Sequence, residues 1–159
     1  MNQPDPARAD LIQELIDGAS DLTLATMRAD GYPQATTVSY ANDGMTIYVS
    51  VGLDSQKARN IQHSDKVSLT INRPYAAWKQ IQGLSMAATA HIVSGADELE
   101  HARACMLRKF PDLKKVIANE HSIPWNSSVF LRIAPQVISL LDYTQGFGHT
   151  ELYRVSPPT

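Results

Sequence analysis

Residues 22–51 read LTLATMRADGYPQATTVSYANDGMTIYVSV, and this stretch decides the fold class. Residues 22–28 (LTLATMR), 34–41 (QATTVSYA) and 45–51 (MTIYVSV) alternate with the two-residue period of a β-strand. Between them stand Ala29-Asp30-Gly31 and Asn42-Asp43-Gly44. Asp-Gly pairs supply the backbone conformations that tight hairpin turns need. Three strands joined this way predict an antiparallel meander.

Upstream, Asp5-Pro6 reads as a capped helix start, and Leu11, Ile12, Leu15 and Ile16 recur at helical spacing, which predicts a helix over 6–17. Downstream, Gly52 breaks the pattern and Asp54 or Ser55 caps a short helix over 56–63. A strand follows at 66–72, then a loop at Arg73-Pro74-Tyr75. Residues 78–94 read as one long strand containing Gly83, or as two strands meeting at a bulge. Residues 97–109 are helical, and Pro111 starts a second short helix with Leu113, Val116 and Ile117 inward. A loop at 120–127 precedes two last strands, 128–134 and 136–142, divided by Pro135. The tail from Tyr143 is glycine-interrupted and irregular or edge-like. The sum is a mainly β, α+β chain of six or seven antiparallel strands with inserted helices. A small closed or split barrel hides the edges of so many short strands.

Composition narrows the function classes. The chain has 159 residues, 43% of them hydrophobic, enough for one domain with its own core. Fourteen basic against sixteen acidic residues leave a net charge of −2, without the basic footprint of a nucleic-acid binder. The apolar runs are short, so no membrane helix is expected. The polar opening MNQPDPARAD lacks the form of a secretory signal. Cys105 is the only cysteine, which precludes an internal disulfide and predicts a reducing, cytoplasmic setting.

Ser55-Gln56-Lys57 stand where a helix N-terminus, a hydroxyl and a point charge meet, the chemistry of a phosphate site. A capped surface helix with solvated charges has the same pattern. Thr36, Thr37, Ser39 and Ser50 are small and hydroxylated, leaving room for a flat ring, although threonine is also simply a good strand residue. His101 and Cys105 lie one helical turn apart, but the other histidines are scattered and a closed metal site needs four ligands, so no metal is expected. Cys105 reads as a small core residue. No Gly-x-Ser-x-Gly elbow and no Walker or Rossmann glycine pattern occurs. Trp78 and Trp125 fit core, rim or cofactor-stacking positions, with the core as the default for a large aromatic.

In order and spacing, ATTVSY at 35–40, IYVSVGLDSQKARNI at 47–61, KVSLTI at 66–71 and SMAATAHIV at 85–93 resemble the pyridoxamine 5′-phosphate oxidase-like superfamily of FMN-binding split barrels. The resemblance covers about residues 7–142. It implies a homodimer with flavin mononucleotide (FMN) at the interface. The phosphate would meet Ser55, Gln56 and Lys57, and the flavin ring would lie along Thr36, Thr37, Val38 and Ser39. Ser50 and Val51 would line the ribityl region, and Gln82 or Gly83 would approach from the partner chain. Gln56 stands where the family often has arginine, and Ala88 where it often has glycine.

The tail lacks the arginine and histidine that hold substrate phosphate in true pyridoxamine phosphate oxidases, so that substrate is not expected. Its Gly146-Phe147-Gly148-His149 segment is similar to tails of haem-utilisation members and to general stress proteins. The resemblance therefore implies an FMN-dependent oxidoreductase acting on a small organic molecule. The alternatives are a non-catalytic flavin- or haem-binding stress or sensing protein, a deazaflavin-dependent reductase, and a barrel with an empty groove. The glycines would let the tail fold over the groove mouth, with Phe147 over the ring and His149 as a candidate catalytic residue facing the substrate. The alternative for His149 is a surface position on the tail.

Overall fold

The structure is a computed structural model that describes residues 1–119 and 128–156, without the side chains of 117–119. Helix α1 (Pro6–Gly18) starts as expected, with the Asp5 carboxylate accepting from the Arg8 amide at 2.9 Å. It buries Ile12, Leu15 and Ile16. Strands β1 (Asp21–Met27) and β2 (Pro33–Ser39) form a hairpin in register Asp21↔Ser39 to Met27↔Pro33. Gly31, at φ +86°, closes its turn. Strand β3 (Ala41–Asp43) pairs with β4 (Thr46–Gly52) across Gly44, at φ +56°. Both Asp-Gly turns are where the sequence places them.

The three-strand meander needs correction. Strand β4 does not pair with β2; it pairs with β3 and with β7 (Ser128–Asp142). The chain breaks at Tyr40, which is fully buried and donates its hydroxyl to the Ile16 carbonyl of α1. That anchor turns the chain and sends β4 to the far end of the sheet. The order is β2-β1-β5-β6-β7-β4-β3, with β5 (Lys66–Asn72), β6 (Gln82–Ile92), and β8 (Thr150–Arg154) added on β7. All the strand-to-strand ladders are antiparallel, and the sheet curls into the expected split barrel.

Two boundaries differ from expectation. Trp78–Gln80 is a 3-10 turn rather than strand, and β6 begins at Gln82. The last two expected strands are one, β7, and Pro135 sits inside it. There the β6–β7 register shifts between Ala87 and Ala88, and the outer neighbour of β7 changes from β4, ending at Ile133, to β8, starting at Val137. A residue without an N–H is tolerated where the ladder is already interrupted. The tail contributes an edge strand, β8. Gly83 is needed for packing, since a Cβ there would lie 3.0 Å from the Asn72 side chain and 3.2 Å from the Ile71 carbonyl.

Leu24, Ile47, Leu69, Met86, Leu131 and Ile138 lie at the centre of the main core. Helix α2 (Gln56–His63) caps it, burying Ala58, Asn60 and Ile61. Helices α3 (Ala96–Lys109) and α4 (Leu113–Asn119) cover the other end, where Ala102, Cys105 and Met106 pack with Tyr48 and Phe130. Val116 of α4, expected inward, is 40% exposed. The loop expected at 120–127, with Trp125, lies outside the described residues. No described helix is long and apolar enough to cross a membrane.

Candidate functional site

Gly52 ends β4 and accepts from the Ser55 amide at 3.0 Å, which sets the start of α2. Ser55 is the N-cap, its Oγ accepting from the Ala58 amide at 3.2 Å. Its O–H proton stays available to a ligand. Gln56 is turned along the helix, donating to Asn60 at 2.7 Å and accepting from Arg59 at 3.3 Å. Lys57 is half-buried, and among the described residues no acceptor pairs with its ammonium.

Asn60 locks α2 onto the barrel. It is buried and donates to Thr26 Oγ1 at 2.9 Å and to Gln34 Oε1 at 3.3 Å. Strand alternation then divides the expected ring-binding run. Gln34, Thr36 and Val38 face inward with Thr26, Leu24 and Leu22, while Thr37 and Ser39 face outward opposite Thr23 and Asp21. Ser39 donates to Asp21 at 3.0 Å.

Thr36 Oγ1 is buried and has no hydrogen-bond partner among the described residues. An unmade bond of this kind costs about 1–3 kcal/mol. The other such atom, Lys109 Nζ, sits 3.6 Å above the Tyr40 ring and so has a π face as partner. Thr36 has no comparable compensation. It lies between Gln34, bound to α2, and Val38, which lines an apolar groove of about 500 Å³. Val38, Ser39, Ser50, Met106, Phe110 and Phe130 form the groove walls.

The structure thus brings Val38, Ser39 and Ser50 together at the groove, with Thr36 on the inward face of β2 beside Val38 and Ser55 and Lys57 on the helix that Asn60 ties to Gln34. Val51 instead points into the core, 5% exposed. Sequence reasoning missed Asn60, although a polar residue between inward Ala58 and Ile61 was a readable signal. It also missed Met106, Phe110 and Phe130, which have the same apolar signature as core residues. A larger cavity of about 620 Å³ lies between the end of α2 and the end of β6, lined by His63, Asp65 and His91 among others. It contains no unpaired buried polar atom, and His91 faces Asp65 at 3.5 Å.

Gln82 and His149 lie elsewhere in this chain, joined through one polar network. The Gln82 amide donates to Asp142 at 3.0 Å, and its carbonyl accepts from Arg73 at 2.6 Å. Asp142, 1% exposed, also accepts from Arg8 and Thr144. Arg8 reaches on to Glu151 at 3.0 Å, and Glu151 meets His149 at 3.1 Å and Tyr153 at 2.9 Å. Burial works to raise the Asp142 pKa, but hydrogen bonds from Thr144, Gln82 and Arg8 outweigh it and hold the carboxyl below its ordinary range. Glu151 is lowered too: burial opposes, while His149, Tyr153 and Arg8 prevail. Phe147 is not over the groove of its own chain; it stacks on Trp78, with centroids 6.0 Å apart and planes at 17°. Trp78, assigned to the core by default, is 67% exposed. His101 faces Asp43 at 3.0 Å and Cys105 Sγ at 3.7 Å, with Cys105 buried.

Known structures share this architecture. A haem-binding protein from Mycobacterium smegmatis is 23% identical with a TM-score of 0.77, over 95% of this chain and 59% of that one. This chain therefore spans well under two thirds of that protein's length. HutZ, the haem storage protein from Vibrio cholerae, is 20% identical with a TM-score of 0.63, over 79% of this chain and 87% of that one. A Clostridium acetobutylicum protein related to general stress protein 26, of the pyridoxinephosphate oxidase family, is 14% identical with a TM-score of 0.70, over 96% and 97%. No curated protein matches in sequence. The sequence profile of pyridoxamine 5′-phosphate oxidase matches residues 9–141, which spans the barrel and the whole strip from Thr36 to Lys57, and the chain belongs to that family.

Proposed function

We propose that this chain binds FMN as a homodimer and serves as an oxidoreductase for a small organic molecule in the cytoplasm. The observation that carries this reading is the orphaned Thr36 hydroxyl, buried two residues from Val38 of the apolar groove, together with Lys57, whose ammonium has no acceptor among the described residues. A ligand with a polar-edged flat ring and an anionic end would satisfy both groups. Lys57 would meet the phosphate, joined by the Ser55 hydroxyl and the first amides of α2. Thr36 would hydrogen-bond the ring's polar edge, and Val38, Phe110 and Phe130 would exclude water from its flat face. When bound, FMN supplies the electron-transfer chemistry, and the protein supplies orientation and electrostatics. Buried Cys105 suits a reducing compartment.

Two of the similar structures are described as haem-binding and haem storage proteins, and this supports haem as the second reading. The absorption spectrum of the purified chain, followed by titration with FMN and haemin, separates the two. Flavin bands and saturable FMN binding are expected. A Soret band with no FMN uptake would replace flavin by haem.

A further inference from the structure

Cys105 packs in the cluster of Tyr48 and Phe130 and is 2% exposed, yet its sulfur also meets polar groups. Its Sγ accepts from the Arg108 guanidinium at 3.8 Å and lies 3.7 Å from His101 Nε2, which faces Asp43 at 3.0 Å. A cavity of about 220 Å³ adjoins the thiol, lined by Asp17, Asn42, Cys105, Arg108 and Lys109. Asp17 and Arg108 are exposed and carry its wall to the surface. Donors and acceptors in this cavity do not balance. Asn42 donates to Asp17 at 2.8 Å and to the Gly44 carbonyl at 2.9 Å, and Asp17 also accepts from Gln13 at 2.8 Å. Lys109 Nζ is buried against the face of Tyr40, with no acceptor for its hydrogens among the described residues. Burial lowers its pKa below the ordinary lysine value, against the opposing pull of Asp17 and Asp21. Arg108 makes no ion pair among the described residues either. Two cations without a carboxylate partner therefore share a cavity with a thiol, a place for a small oxygen-rich ligand. A thiol in purely apolar surroundings is inert, whereas one beside cations is reactive.

We propose that Cys105 is a peroxide-reactive thiol, oxidised to the sulfenic acid by hydrogen peroxide held in this cavity by Arg108 and Lys109. The proposal is independent of the FMN reading. The sulfur attacks one peroxide oxygen, so that an S–O bond forms as the O–O bond breaks. The sulfur loses two electrons and the peroxide gains them. The thiol proton joins the departing hydroxide, and Cys–SH with H2O2 gives Cys–SOH with one water. Negative charge builds on the departing oxygen, where the Arg108 and Lys109 hydrogens answer it. The new S–OH oxygen is then an acceptor for the same donors. The arrangement is not a Cys-His-Asp triad. A triad uses one imidazole nitrogen for the carboxylate and the other for the nucleophile, whereas here Nε2 of His101 faces both Asp43 and Cys105. Cys105 is the only cysteine of the 159 residues, so no internal disulfide resolves the sulfenic acid, and it persists until an external thiol reduces it.

The test treats the full-length chain with hydrogen peroxide in the presence of dimedone, which traps sulfenic acid and ignores methionine sulfoxide, and follows the adduct by intact mass. One adduct per chain is expected, and none in Cys105→Ser. The folded chain should label about tenfold faster than the same chain unfolded in urea, the effect of a single charge-assisted hydrogen bond in the transfer. Arg108→Gln and Lys109→Gln should each slow labelling of the folded chain about three- to tenfold. Arg108→Lys, which keeps the charge, should retain most of the rate. No adduct in the folded wild type would overturn the proposal, as would labelling no faster than in the unfolded chain. Equal rates in wild type and Arg108→Gln would overturn it as well, because the cations would then have no part in the transfer. If Lys109→Gln fails to fold, the two variants of exposed Arg108 decide the matter by themselves.

Discussion

The two ends of the barrel treat polar groups in opposite ways. Around Asp142 every buried charge is answered: Arg8, Gln82 and Thr144 surround one carboxylate, and Arg8, His149 and Tyr153 surround Glu151. Among the described residues the buried Thr36 hydroxyl has no partner, and neither has Lys57 on the adjoining helix. The contrast separates support from site. A completed network joins α1, β6, β7 and β8 into one piece, since its members come from all four elements. An incomplete one costs stability unless a ligand completes it.

The sharpest way to break the comparison is Asp142→Ala. It leaves Arg8 with Glu151 alone and removes the acceptor of Gln82 and Thr144, and each hydrogen bond lost to a charged group costs about 1.5–3 kcal/mol. Urea denaturation should show that loss, with any surviving folded protein keeping the wild-type preference for FMN over riboflavin. The same carboxylate sets an acid limit. Its pKa is lower folded than unfolded, so its stabilisation is fully present above the unfolded value of about 4 and drains away as pH falls through the folded value. Denaturation midpoints measured across that window should fall more steeply for wild type than for Asp142→Asn.

Lys57→Ala should do the reverse, leaving the urea midpoint nearly unchanged. A charge-assisted hydrogen bond contributes on the order of 1.5–3 kcal/mol, so FMN binding should weaken roughly ten- to hundredfold. Riboflavin, lacking the phosphate, should bind as before in a fluorescence titration; equal loss for both ligands would remove Lys57 from the phosphate. Thr36→Val sharpens the contrast further. It deletes an orphaned group, so the apo chain should be as stable as wild type or more so, while FMN affinity falls about fivefold for the loss of roughly 1 kcal/mol. A destabilised apo chain would mean that the hydroxyl already has work in the fold. His149→Ala has the smallest expected effect on binding, within about twofold for FMN, because Glu151 rather than the groove holds its ring. A raised KM for an organic acceptor would assign it to the substrate space, and unchanged turnover would leave it to the Glu151 network.

Much of the barrel was legible in the chain because its signals are local. Asp5 capping α1, Ser55 capping α2, and glycines at the two turns act on residues within a few positions of themselves. Alternation along β1 and β5 shows directly which side chains are buried. The candidate strip was legible only in part. Thr36 and Ser50 stood out as small hydroxylated strand residues, but Thr37 has the same composition and faces outward. Met106, Phe110 and Phe130 were indistinguishable from core residues, because a groove wall and a core wall use the same apolar side chains.

The sequence by itself determined the hairpins, the helix starts, the mainly β class and the family resemblance, since short-range sterics and residue order carry them. Tertiary structure alone decided that β4 joins β7 rather than β2, because Tyr40 is anchored on α1, twenty-four positions from its hydrogen-bond partner Ile16. It decided that β7 runs unbroken through Pro135, because the neighbouring strand changes there. It placed Gln82 and His149 in one network through Arg8 and Asp142, residues 134 positions apart. It also put Trp78 in solvent against Phe147. Contacts between residues so distant in sequence leave no period or motif, and they exist only once the sheet has curled.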